Sequence, residues 1–68
     1  MNVQAKFPEV EVELVGQDGN ASAIMGRVTA AMKDAGVARE DQDAYRKAAM
    51  GGDYDNLLRV TLETVSVV

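Results

Sequence analysis

The run Glu9-Val10-Glu11-Val12-Glu13-Leu14-Val15 alternates strictly between acidic and apolar residues over its first six positions. Successive side chains on a strand point to opposite faces, so Val10, Val12 and Leu14 share one face and Glu9, Glu11 and Glu13 the other. This pattern calls for a sheet with one face covered by protein and the other in water. Pro8, just ahead of the run, suits a strand's first position, where a missing N–H does least harm. Whatever covers the valine face must come from the rest of the chain.

The apolar period then changes. Gly16 and Gly19 bracket a turn, and Asn20 is a good N-cap because its side-chain oxygen can accept from the free N–H groups of a first helical turn. From Ala21 the apolar residues Ile24, Val28, Met32 and Ala35 recur at helical spacing until Gly36 supplies a C′ stop. Gly26, inside that helix, costs roughly 1 kcal/mol relative to alanine and predicts the close approach of another backbone or side chain. A second helix is expected from Ala38 to Met50. Acidic Glu40 and Asp41 open it and Arg46 and Lys47 lie towards its end, as the macrodipole favours. Its apolar face, Val37, Ala44, Tyr45, Ala48 and Ala49, is narrow. After Gly51-Gly52, Asp53 caps a third helix with a stronger face of Leu57, Leu58, Thr61, Leu62 and Val65. The closing Thr64-Val65-Ser66-Val67-Val68 alternates again and reads as a short strand.

The expected fold is therefore α+β: one small domain over residues 1–68, in the order strand–helix–helix–helix–strand, with residues 1–7 as a flexible lead. Reversal at each short connection brings the last strand up parallel to the first, although the short second helix leaves the orientation open. Hydrophobic residues make up 47% of the 68, but ten of them are alanines, and the aromatics are Phe7, Tyr45 and Tyr54. So thin a core, beside a two-stranded sheet, predicts a homo-oligomer in which the sheet is extended by another copy.

Charge and composition exclude much chemistry. The net charge is −4, and the seven basic residues are scattered, so nucleic-acid binding driven by counterion release is not expected. No apolar run approaches the roughly 18 residues of a membrane span, and the N-terminal stretch lacks a signal-peptide core, so a cytoplasmic protein with no membrane partner is expected. The tripeptide Asn20-Ala21-Ser22 matches a glycosylation sequon, which goes unused in that compartment. With neither cysteine nor histidine, disulfides, zinc sites, nucleophilic triads and the commonest general base are all removed. No catalytic residue, metal ligand or cofactor is expected, and the chain reads as a non-enzyme. Asp53-Tyr54-Asp55-Asn56 begins like a calcium loop, but Arg59 stands where further oxygen ligands are needed and no glycine takes the sixth position.

Two candidate surfaces remain. The turn from Gly16 to Asn20 leads from a strand into a helix N-terminus, the geometry that cradles phosphates. A nucleotide or phosphorylated ligand there would use Gly19, Asn20 and Ala21, with Arg27 and Arg59 as cations. The turn matches neither the Walker pattern nor the dinucleotide fingerprint, and Asp18 opposes an anion. The plain alternative is a capped strand-to-helix turn. The second surface is the face of Glu9, Glu11 and Glu13, either solvated or turned towards a basic protein partner.

Asp18-Gly19-Asn20-Ala21 followed by Ile24, Gly26, Arg27 and Val28, and later Gly52-Asp53-Tyr54-Asp55 followed by Leu57-Leu58, together resemble a set of small uncharacterised bacteriophage and prophage proteins, particularly from phages of actinobacteria. The resemblance covers most of residues 10–65 and carries no activity with it. It implies a phage context, in which small proteins often act by binding a host or phage protein, blocking a defence system or sequestering a nucleotide signal.

Overall fold

The computed structural model describes residues 5–14, 16 and 19–68. Strand β1 (Phe7–Val12) is followed by α1 (Ala21–Asp34), α2 (Arg39–Met50), α3 (Tyr54–Thr64) and β2 (Val65–Val67). The two strands pair in parallel in one two-stranded sheet. The α+β order read from the sequence is thus the order observed. The strand begins earlier than expected: Pro8 lies within β1, and Lys6 N–H donates to the Glu63 carbonyl at 2.9 Å, tying in the end of what was expected to be a flexible lead. The strand also ends earlier than expected, at Val12, with Glu13 and Leu14 beyond it; Val15, the last residue of the predicted strand, and residues 1–4 lie outside the described residues.

Pro8 leaves its mark on the register. Phe7 pairs with Val65 and Glu11 with Ser66, so β1 advances four residues while β2 advances one. A proline cannot donate to a ladder, and such an irregularity is where a strand tolerates one. The Ser66 hydroxyl spans the gap by donating to the Pro8 carbonyl at 2.7 Å. From Glu11 on the pairing is regular, Val12 opposing Val67 and its carbonyl accepting from Val68 N–H at 3.0 Å.

Val10 and Val12 are buried while Glu9, Glu11 and Glu13 are exposed, as the alternation requires. The core that covers the valines is Ile24, Val28 and Met32 of α1, Tyr45 and Ala49 of α2, Leu57 and Val60 of α3, and Val65 of β2. Asn20 caps α1 by accepting from Ser22 N–H at 2.9 Å, and Asp53 caps α3 by accepting from Asn56 N–H at 2.9 Å. At the end of α1, Gly36 takes φ +84, Val37 N–H donates to the Met32 carbonyl and Gly36 N–H to that of Lys33. This is the Schellman arrangement, which the left-handed conformation of glycine makes cheap. The turn fixes the α1–α2 hairpin, and Gln42 reinforces it by donating from Nε2 to the Val37 carbonyl at 3.0 Å.

Three packing expectations are corrected. Ala35, expected on the buried face of α1, is exposed at the C-cap, where the helix has already ended. Ala44 and Ala48 of α2 are exposed, and burial there rests on Tyr45 and Ala49. On α3 the buried residues are Leu57, Val60 and Thr61, while Leu62 is 58% exposed, so the helix is rotated away from the predicted face. The anchor of that rotation is hard to see in sequence but plain in space: the Tyr45 and Thr61 hydroxyls meet at 2.7 Å inside the α2–α3 contact.

Candidate functional site

The strand-to-helix turn was the first candidate. Gly16 takes φ +78, as a turn glycine can, whereas Gln17 and Asp18 lie outside the described residues. Gly19, Asn20 and Ala21 are exposed. The Asn20 side-chain oxygen is engaged by Ser22 N–H in the cap. The Gly19 carbonyl accepts from the Tyr54 hydroxyl at 2.6 Å, a bond across 35 residues that straps the turn to the first residue of α3. Sequence reading missed this strap: Tyr54 falls just after the Asp53 cap of the third helix, and nothing local links it to Gly19.

Of the two cations assigned to the turn, Arg59 lies in other surroundings, on the outer surface of α3. Arg27 is half-buried on α1, with Nη1 enclosed by protein. Arg59 donates from Nη2 to Asn56 Oδ1 at 2.7 Å and from Nη1 to the Glu63 carboxylate at 3.4 Å, all along the outer surface of α3. Asn56 in turn donates to the Ala48 carbonyl at 2.9 Å, so Arg59 belongs to the α2–α3 junction. Beside Tyr54 there is a shallow apolar notch in which Ala21, Met25 and the exposed Met50 meet. Its lining is unlike a phosphate cradle.

The second candidate is the glutamate face. Glu9, Glu11 and Glu13 are all exposed, and no ion pair with a described residue involves them; the pairs present are Lys6–Asp41 at 3.6 Å and Arg59–Glu63 at 3.4 Å. Because Val12 uses its carbonyl on β2, and backbone groups on a strand alternate in direction, those of Glu11 point to the opposite edge. Among the described residues no strand occupies that edge. The free edge and the acidic face therefore belong to the same residues.

Chemically reactive arrangements are few. Among the described residues no group of three or more acidic, histidine or cysteine side chains could hold a metal ion, and no helix is long and apolar enough to cross a membrane. Among the described residues the one titrating side chain pushed from its ordinary range is Tyr45, whose phenol is raised by burial, with the hydrogen bond to Thr61 opposing. It faces the core and serves the α2–α3 contact. Searches against protein-family models, curated proteins and solved structures find no match to the chain.

Proposed function

We propose that this chain is a small non-enzymatic interaction protein that self-associates and binds a partner protein through its sheet. The observation that carries the reading is the sheet itself: two parallel strands with one face covered, and no further strand at either outer edge among the described residues. Isolated pairs of strands are marginal, and open edges are templates for another chain. The two edges differ in charge. If two copies joined β1 to β1 with their valines kept on the core side, the glutamates of both copies would face each other on one surface, and like charges opposite one another destabilise. The outward residue of β2 is Ser66, which is uncharged. Self-association therefore uses β2, and the β1 edge is left for a partner strand with lysine or arginine at alternate positions. The lack of histidine and cysteine supports a binding role over catalysis. The resemblance to phage proteins supports a host or phage protein as the partner, met in the host cytoplasm.

Light scattering at tens of micromolar should give a dimer, and a peptide alternating lysine and valine should bind, more tightly at low salt because exposed charges are screened over about 10 Å at 0.1 M. Replacing Glu9, Glu11 and Glu13 together by glutamine should abolish peptide binding and leave the dimer intact. A monomer that ignores the peptide would refute the reading.

A further inference from the structure

Between α1 and α2 lies an open groove of about 260 Å³, walled by Thr29 and Lys33 on one side and by Arg39, Gln42, Asp43 and Arg46 on the other. It gathers three cations against one carboxylate in a chain whose net charge is −4. None of the three joins either ion pair found among the described residues. Arg39 and Arg46 stand seven residues apart on one side of α2, about 10 Å along its axis, and Lys33 faces them from the last turn of α1. The Schellman turn at Gly36 and the Gln42 bond to Val37 hold the two walls in fixed relation.

The donor inventory narrows what such a groove can take. The Thr29 hydroxyl proton is directed at the Met25 and Gly26 carbonyls, and Gln42 spends an amide N–H on Val37. The three charged side chains are thus the chief donors, and what they match is a compact group of anionic oxygens. No aromatic side chain lines the groove, so nothing is offered to a nucleobase or to any other ring. A long polyanion would carry its remaining charges over an acidic protein. We infer that the α1–α2 groove binds a compact polyphosphate, inorganic pyrophosphate or the phosphate chain of a nucleoside diphosphate, through Lys33, Arg39 and Arg46. The site is separate from the turn at Gly16–Asn20 and does not depend on the sheet-mediated binding proposed above. Asp43, four residues after Arg39 and three before Arg46, is the brake on affinity.

The test is a titration of the intact chain at low salt, followed by amide chemical shifts and calorimetry, with pyrophosphate, ADP, orthophosphate and a short single-stranded oligonucleotide. Pyrophosphate and ADP should bind with affinities within about threefold of each other, orthophosphate more weakly, and shifts should centre on Lys33, Arg39 and Arg46. Charged hydrogen bonds of this kind predict a loss of about tenfold for Arg39→Ala and again for Arg46→Ala. Asp43→Asn should tighten binding, an outcome that damage to the fold could not produce. All three residues are exposed, so the melting temperatures of the variants without ligand should match the parent. No shift at millimolar pyrophosphate, shifts centred on Gly19–Ala21, affinity unchanged by Asp43→Asn, or an oligonucleotide that binds more tightly than pyrophosphate would each overturn the inference.

Discussion

Thr61→Val should destabilise the protein more than Tyr45→Phe, although the two residues share one hydrogen bond. The reason is the direction of the protons. Thr61 Oγ1 lies 2.8 Å from the Leu57 carbonyl, which can only accept, so the single threonine proton goes there. The Tyr45 hydroxyl, 2.7 Å from the same Oγ1, must then be the donor. Both residues are buried, with Thr61 at 0% and Tyr45 at 3% exposure. Removing the tyrosine hydroxyl leaves Thr61 satisfied through Leu57, and the loss is one neutral hydrogen bond, about 0.5–1.5 kcal/mol. Removing the threonine hydroxyl strands a buried phenol with no acceptor, which costs about 1–3 kcal/mol. The double variant should sit close to Tyr45→Phe alone, so the pair couples non-additively. For a domain of this size, with total stability of roughly 3–10 kcal/mol, either effect is readily measured by urea unfolding followed by circular dichroism. The same phenol gives a pH dependence. Burial raises its pKa in the folded state, so the folded protein holds the proton more firmly, and this contribution is full below the ordinary tyrosine range near 10 and is lost as pH climbs through the raised value. Tyr45→Phe should remove that alkaline loss. If Tyr45→Phe costs more than Thr61→Val, the proton assignment is wrong.

Two further outcomes follow from packing. Leu57→Ala, at 2% exposure, should cost about 2–4 kcal/mol through lost burial and a residual cavity, whereas Leu58→Ala on the half-buried flank should cost clearly less; equal losses in thermal unfolding would mean that α3 is rotated differently. Gly26→Ala should raise stability by about 1 kcal/mol, because the helical site is exposed and, beyond the adjoining backbone of its own helix, no described atom lies within 4 Å of where a Cβ would stand; a drop in melting temperature would reveal an approach to that position after all.

The Gly26 result also shows where sequence reading reaches its limit. A glycine inside a helix pattern signals that a side chain is missing, but only the assembled chain shows whether anything fills the space, and here nothing described does. Elements whose periods are unambiguous were legible: the glutamate–valine alternation of β1, the Asn20 and Asp53 caps, and the Gly36 stop all stand where the residues put them. The rotation of α3 was not, because Leu57, Leu58, Val60, Thr61 and Leu62 place apolar or neutral side chains over more than half the circumference at about 100° per residue. Burial of Thr61 against Tyr45, sixteen residues away, breaks that tie. The groove cations were illegible for the same reason. Arg46 read singly as a favourable charge near a helix end, Lys33 and Arg39 only as two of the scattered basic residues, and the α1–α2 hairpin brings the three together.

The β1–β2 pair joins the first and last elements of the fold, with the Ser66 bond to Pro8 spanning 58 residues. Closing a flexible loop of that length costs roughly 3–4 kcal/mol in chain entropy, more than a few strand hydrogen bonds return. The strands therefore meet only after the three helices have packed and drawn the ends together. Folding runs from the helical hairpins outward, and φ-values near zero at Val10 and Val65 would be its kinetic mark. In reverse, the sheet is the first part to part company when the molecule opens, so the valine face of β1 is bared to other chains well before the helices come apart.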